Sequence, residues 1–247
     1  MSAVRCDLWH IDVIGKGIMK KLVIIPAYNE QGGIEKTVRD ILEYAPDFDY
    51  VVINDCSTDK TLEVCRRNGF HVISLPVNLG IGGGVQTGYL YAFQNDYDIA
   101  VQFDGDGQHN ARYLNEMADK LVKDNLDMVI GSRYIKKEGF QSSGLRRVGI
   151  RYFTALIKLV TGKKITDPTS GMRMAGRGVI EIYAKNYPKD YPEPESVVAI
   201  LKAGKKVDEI PVQMNAREEG VSSISPRKSI YYMIKVSLAI LMAAIRR

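Results

Sequence analysis

Leu22-Val-Ile-Ile-Pro26, followed at once by Ala-Tyr-Asn-Glu30, is the stretch from which the fold is read. A short apolar run rich in β-branched residues is a buried strand, and it gives way abruptly to polar residues. The same form recurs three times. Tyr50-Val-Val-Ile53 leads into Asn54-Asp55-Cys-Ser57-Thr-Asp59, and Phe70 to Leu75 leads towards Asn78-Leu-Gly80-Ile-Gly82-Gly83-Gly84. Ile99-Ala-Val-Gln-Phe103 leads into Asp104-Gly-Asp106-Gly-Gln108. Between these runs the spacing is helical. Ile34, Val38, Ile41 and Leu42 share one face of a helix over 30–44. Ser57 or Thr58 is positioned to cap a helix ending at Asn68. Further helices are expected over 84–95 and 111–123, and a fifth strand over Met128-Val-Ile130. Strands alternating with helices predict an α/β fold, a mostly parallel central sheet flanked by helices. In such sheets ligands bind beyond the carboxyl ends of the strands, where all four polar signatures fall.

The second half is less regular. Helices are expected over 145–160 and 192–203, a strand over 206–210, and a last helix from Ser225 or Ser229 to the end. Residues 133–164 carry nine Lys and Arg against one acidic residue, Glu138. The 247 residues bear a net charge of +5, with 45% apolar and 26% charged. These values exclude a disordered tail, a collagen-like repeat and a disulfide scaffold. Three cysteines, Cys6, Cys56 and Cys65, without paired spacing suit a reducing, cytoplasmic setting. Met1 to Gly17 lacks the apolar core of a secretion signal, and Met19-Lys20-Lys21 begins a different pattern. Residues 1–18 are therefore expected to be an N-terminal extension. Ile230 to Ile245 is apolar except for Lys235 and Ser237, shorter than the roughly 18 residues of a membrane span.

Asp104-x-Asp106 carries the clearest chemistry. Two carboxylates one residue apart repel unless a cation lies between them, and a hard divalent ion, Mg²⁺ or Mn²⁺, shares oxygen ligands with substrate phosphates. Gln108 adds a neutral oxygen. His109 reads instead as a hydrogen-bonded loop residue.

The order of Pro26-Ala-Tyr-Asn-Glu30, Asn54-Asp55-x-Ser57-Thr-Asp59 and Asp104-x-Asp106-x-Gln108 resembles glycosyltransferase family 2, which has the GT-A fold. Gly131-Ser-Arg133-Tyr, Asp167-Pro-Thr-Ser-Gly171 and Arg217-x-x-Gly220-x-Ser222 resemble its dolichyl-phosphate mannosyltransferase-like branch. The resemblance runs from about Lys20 to Ser223. It implies a Rossmann-like nucleotide-sugar-binding half over 19–131 and an acceptor half over 132–224, followed by an amphipathic helix over 225–247. It further implies an inverting enzyme that uses a UDP- or GDP-sugar and a divalent metal. By the resemblance, Pro26, Tyr28 and Glu30 lie in the first nucleotide-contacting loop and Asp55 reads the base. Asp104, Asp106 and Gln108 serve the metal, Asp104 also facing the nucleotide, and Arg133 and Arg217 lie near the phosphates.

Two features depart from the family pattern. Ile81 and three glycines stand where relatives often carry a cation, so the loop either grips phosphate through backbone N–H groups or only packs closely. The acidic pair near the acceptor is also not evident. Glu193 and Glu195 fall roughly there and are base candidates, though both equally suit a helix N-terminus. Asp167 competes with them, and an Asp-Pro pair also forms turns. A sugar hydroxyl needs a base, whereas a polyprenyl phosphate is anionic near neutral pH and needs only cations to position it. Arg146, Arg147 and Arg151, beside Leu145, Val148, Phe153 and Leu156, suit a headgroup on a membrane surface, or a solvated helix face. The expected acceptor is a polyprenyl phosphate or a cell-surface polysaccharide or glycolipid, met in the cytoplasm or at the inner face of the membrane. The C-terminal helix suits that surface, the core or a homo-oligomer contact.

Other classes fit less well. A dinucleotide fingerprint needs its glycines after the first strand, not the third. A sugar nucleotidyltransferase likewise needs a basic glycine-rich loop there. Nucleic acid is disfavoured because the basic residues lack interleaved stacking aromatics. A non-catalytic nucleotide-sugar-binding protein is the alternative, against which the intact Asp104 and Asp106 argue.

Overall fold

A computed structural model describes residues 19–136, 144–189, 192–215 and 226–245. The expected extension over 1–18 and Arg217 lie outside the described residues.

Among the described residues seven strands form one sheet: β1 (Lys21–Ala27), β2 (Asp49–Asn54), β3 (Val72–Ser74), β4 (Ile99–Gln102), β5 (Met128–Ser132), β6 (Arg173–Gly176) and β7 (Val207–Pro211). Their order is β3-β2-β1-β4-β6-β5-β7. All pairings are parallel except those of β6, which runs antiparallel to β4 and β5 between them. The helices are α1 (Ile34–Tyr44), α2 (Thr61–Arg67), α3 (Gly80–Gln94), α4 (Leu114–Lys123), α5 (Gly144–Thr161), α6 (Arg177–Lys185), α7 (Pro192–Lys202) and α8 (Pro226–Ile245).

The continuous apolar run of β1 serves two cores at once, because successive side chains point to opposite faces. Leu22 and Ile24 pack with Val85 and Tyr89 of α3, Val179 of α6 and Val198 of α7. Val23 and Ile25 pack with Val38 of α1, Cys65 of α2 and Met117 of α4. α5 and α8 lie on the first face, with Phe153, Ile157, Val236 and Ile240 in its core.

The expected parallel sheet is present, with three corrections. β6 and α6 were not anticipated. A four-residue strand beginning with arginine and ending with glycine has no readable alternation, and its place between β4 and β5 is set by tertiary pairing. Through β6 the two halves of the chain share one sheet. α3 begins at Gly80 rather than Gly84. The cap of α2 is neither Ser57 nor Thr58, since Asp59 Oδ1 accepts the Thr61 N–H at 2.9 Å.

The glycines of α3 allow close packing. A Cβ on Gly88 would lie 2.1 Å from Cγ2 of Ile24 on β1. A Gly88→Ala variant should therefore lose on the order of 1–3 kcal/mol of stability through overpacking, measured as a lower denaturant midpoint.

Candidate active site

The carboxyl ends of β1 and β2 stand level, Ala27 beside Asn54 in the parallel register. Asp55 follows β2 and is 4% exposed. Its N–H donates to the Ala27 carbonyl at 2.9 Å. Its Oδ1 accepts the Leu79 N–H at 2.7 Å, and Asn78 Nδ2 donates to its carbonyl. Asp55 thus joins the end of β2 to the start of α3. Asn29, in the left-handed region at φ 58°, accepts the N–H groups of Thr58 and Asp59 on its Oδ1 and donates its own N–H to Ser57 Oγ. Glu30 N–H donates to Thr61 Oγ1 at 2.8 Å. Most polar residues of the first two motifs therefore lace two loops together. Pro26 is buried at the end of β1, and Tyr28 stands exposed at the rim.

The glycine run after β3 is a packing device. A Cβ on Gly82 would lie 2.2 Å from the Pro188 carbonyl oxygen and 2.4 Å from that of Lys189. Two N–H groups at the start of α3 are already occupied, Leu79 by Asp55 and Gly80 by Asn78 Oδ1. Of the two expectations for this loop, close packing is the one these contacts match.

Asp104 follows β4. Its N–H donates to His109 Nδ1 at 3.0 Å, and Gln102 Nε2 donates to its Oδ1 at 3.2 Å. His109 is 3% exposed and packs edge-on against Phe103. As an acceptor at Nδ1 it braces the Asp104 turn, as the sequence suggested. Asp106 Oδ1 accepts the Gln108 N–H at 3.0 Å, and Gly107 at φ 75° closes the turn. Asn215 ties down the same turn, its N–H donating to the Gln108 carbonyl at 2.8 Å. Asp104, Asp106 and Gln108 all keep part of their surface open. Among the described residues no group of three or more His, Cys, Asp and Glu is placed to hold a metal. Two partly exposed carboxylates and an amide on one turn fit a hard cation that completes its shell with substrate oxygens and water.

Arg133, just past β5, and Asp167 form a buried ion pair. Nε donates to Oδ2 at 2.7 Å and a second guanidinium nitrogen donates to Oδ1 at 2.8 Å; the Arg133 N–H also reaches Oδ2. Asp167 is fully buried and Arg133 is 8% exposed. Burial opposes the guanidinium charge, but the Asp167 hydrogen bonds and charge outweigh it and hold Arg133 firmly protonated. Asp167 had been a candidate base. With no exposed surface and both oxygens engaged by Arg133, it stands as the partner of that arginine and not as an open proton acceptor.

The Asp167 loop is held from three further directions. Glu209 on β7 accepts the N–H groups of Thr166 and Asp167 at 2.7 and 3.0 Å. Ser170 Oγ donates to the Gly131 carbonyl at 2.6 Å. Arg173 on β6, 1% exposed, donates to the carbonyls of Pro168, Ser170 and Glu193 and to Ser196 Oγ. Gly171 is thereby set so close to Asp104 that a Cβ would lie 2.7 Å from Oδ2. Glu193 and Glu195 occupy the first turn of α7, both partly exposed, and Arg173 fixes that turn to the Asp167 loop.

Arg173 and Glu209 were missed. The available signal for Arg173 was an arginine inside the apolar run Met172-Arg-Met-Ala175. Glu209 gave none beyond a charge within a strand.

The family described as glycosyl transferase family 2 matches residues 22–183. An uncharacterized protein of Methanocaldococcus jannaschii is 30% identical over 203 residues, covering 81% of this chain and 83% of the relative. An undecaprenyl-phosphate mannosyltransferase of Micrococcus luteus is 26% identical over 219 residues, covering 84% and 88%. A UDP-N-acetylglucosamine–dolichyl-phosphate N-acetylglucosaminyltransferase of Methanococcus voltae is 27% identical over 211 residues, covering 77% and 84%. Among solved structures, the glucosyl-3-phosphoglycerate synthase of Mycobacterium tuberculosis, crystallised with Mn²⁺, uridine diphosphate and phosphoglyceric acid, aligns with a TM-score of 0.70. The identity is 19%, over 93% of this chain and 80% of that one, which identifies a shared GT-A fold.

Arg173→Met should remove the guanidinium donor from the buried carbonyls of Pro168 and Ser170 and cost about 2–4 kcal/mol, seen as a lower melting temperature. Burial raises the Glu209 pKa above its ordinary value, against the two N–H groups it accepts. Glu209 thus binds its proton more tightly folded than unfolded. Its contribution to stability is greatest below its unfolded pKa and is lost as pH rises through its folded one. Unfolding curves from pH 4 to 7 should show this decline, and Glu209→Gln should flatten it.

Proposed function

The chain belongs to glycosyl transferase family 2 and is a glycosyltransferase, and we propose that it moves a sugar from a UDP- or GDP-sugar onto a polyprenyl phosphate with inversion at the anomeric carbon. The observation that carries this reading is the meeting of the Asp104-x-Asp106 turn with a loop whose carboxylate, Asp167, is spent on Arg133. A hydroxyl acceptor needs a base beside the reacting carbon. A phosphate monoester, with a second pKa of roughly 6, arrives as its own nucleophile. The Micrococcus luteus undecaprenyl-phosphate mannosyltransferase and the Methanococcus voltae dolichyl-phosphate N-acetylglucosaminyltransferase support the same acceptor class.

Asp104, Asp106 and Gln108 would hold Mg²⁺ or Mn²⁺. When bound, that ion neutralises the charge that develops on the departing diphosphate. Pro26, Tyr28 and Glu30 border the nucleotide, and Asp55 meets the base at the end of β2. Arg133, kept protonated and oriented by Asp167, adds positive potential beside Asp104. Arg217 is assigned the same service. In the reaction an acceptor phosphate oxygen attacks the anomeric carbon, the bond from that carbon to the donor phosphate oxygen breaks, and the nucleoside diphosphate leaves with the electron pair. Such an acceptor is anchored in a bilayer, so the reaction takes place at a membrane surface, on the cytoplasmic side where nucleotide sugars are made.

Transfer from UDP- and GDP-sugars to a short-chain polyprenyl phosphate tests the reading. Asp106→Asn should lower turnover at least about a hundredfold with folding intact, and EDTA should abolish it reversibly. Full activity in EDTA overturns the metal assignment. Glu193→Gln and Glu195→Gln should leave transfer to phosphate largely unchanged. Loss of activity in either variant, with a hydroxyl acceptor preferred by the parent enzyme, overturns the phosphate acceptor.

A further inference from the structure

Gln102, the last residue of β4, is 1% exposed. Alternation along the strand puts it on the same face as Ala100, among the apolar residues packed by α3, α6 and α7. An amide buried there is costly unless its polar ends are used. Both are. Nε2 donates to Asp104 Oδ1 at 3.2 Å, and Oε1 accepts from the Tyr187 hydroxyl at 3.4 Å. The carboxylate dictates which end of the amide faces which partner. An ionised carboxylate accepts and never donates, so the amide nitrogen must face Asp104. The amide oxygen is left for Tyr187, whose hydroxyl must then donate. Burial pushes that phenol well above its ordinary range, so it keeps its proton for the purpose.

Tyr187 is itself held in place. Its ring lies 4.9 Å from that of Tyr183 on α6 in an edge-on arrangement, and 5.8 Å from that of Tyr89 on α3. The Tyr183 hydroxyl donates to the Ser196 carbonyl on α7. The next residue, Pro188, is the one whose carbonyl stands against Gly82. Three helices thus fix the phenol, the phenol sets the amide, and the amide meets the carboxylate. The contrast with Asp167 is chemical. Arg133 cancels the charge of Asp167, whereas a neutral amide orients one oxygen of Asp104 and leaves its charge to be used. Asp104 is also the more open of the two, being partly exposed. Hydrogen-bond partners behind a metal ligand fix its orientation, and their loss weakens metal binding.

We propose that Gln102, set by Tyr187, is a positioning residue that aims the Asp104 carboxylate for a divalent cation. The proposal rests on the assignment of Asp104 and Asp106 to that cation. It adds two buried side chains that act on the cation only through Asp104.

The test is titration of the full chain with Mn²⁺ alone, bound ion being read from the loss of the free-ion electron paramagnetic resonance signal, beside the melting temperature of each variant. Gln102→Met keeps the length of the side chain and should weaken Mn²⁺ binding about tenfold or more. Tyr187→Phe keeps the ring, loses only the hydroxyl, and should weaken binding by a smaller factor. In the Gln102→Met background Tyr187→Phe should weaken it no further, because the hydroxyl acts through the amide. Losses that multiply in the double variant overturn the part given to Tyr187. A lower melting temperature with unchanged Mn²⁺ affinity makes Gln102 a packing residue and overturns the proposal. If Gln102→Met does not fold, unchanged affinity in Tyr187→Phe overturns it alone. Asp106→Asn separates this inference from the reading beneath it. A parent that binds Mn²⁺ tightly and loses it in Asp106→Asn keeps the metal assignment, even where the Gln102 and Tyr187 variants bind as the parent does and the positioning role falls. A parent that binds no better than Asp106→Asn overturns both.

Discussion

The arrangement of the site depends on one buried ion pair. Taking a guanidinium and a carboxylate out of water is costly, and removing either partner alone from such a pair costs about 3–5 kcal/mol. Arg133 and Asp167 meet through two hydrogen bonds, and the remaining polar groups of the loop are satisfied by Glu209, Ser170 and Arg173. The loop has little freedom to relax, and this holds Gly171 against the Asp104 carboxylate. Arg133 and the 166–171 loop beside the Asp104 turn are thus positioned by one network anchored on β5, β6 and β7. The loops after β1 and β2 are built differently. They are tied by neutral hydrogen bonds around Asn29, Ser57 and Thr61, with Asp55 joining β2 to α3.

The legible parts of the fold were those with local causes. Apolar runs ended by polar clusters located β1, β2 and β4, and the spacing of Ile34, Val38 and Ile41 located α1. The Asp104-x-Asp106 pair was legible as a pattern, since its two carboxylates stand one position apart on the turn after β4. β6 was illegible because its pairing partners, Ala100 and Val129 among them, lie far away in sequence. The role of Asp167 was illegible likewise. An Asp-Pro pair reads as turn or base, and only the approach of Arg133, 34 residues earlier, distinguishes an occupied carboxylate from an open one. The glycines of α3 show the converse. A glycine-rich loop suggests phosphate, but what these residues admit is the backbone of Pro188 and Lys189 and the side chain of Ile24.

Because Gly82 and Gly88 bring α3 against both the 188–189 segment and β1, the helix connects the first half of the chain to the second. Arg173 makes a second connection, from the Asp167 loop to the first turn of α7. The residues assigned to donor and acceptor are thus carried on one braced body.

The place of β6 also bears on how the chain reaches this state. β4 ends at Gln102 and β5 begins at Met128, so both leave the ribosome well before Arg173. Consecutive parallel strands joined by a helix ordinarily settle as neighbours, and α4 supplies that connection here. In the native sheet they must instead stay one strand apart. Until β6 is synthesised, β4 and β5 each present an unpaired apolar edge. Direct pairing between them would be a kinetic trap, and β6 has to enter between two strands already made, at the cost of a long-range loop closure, before β7 adds to the far side of β5. β4 and β7 each add to an open edge of a strand made earlier, whereas β6 must be inserted between two, which makes that insertion a step where folding of the nascent chain is exposed to error.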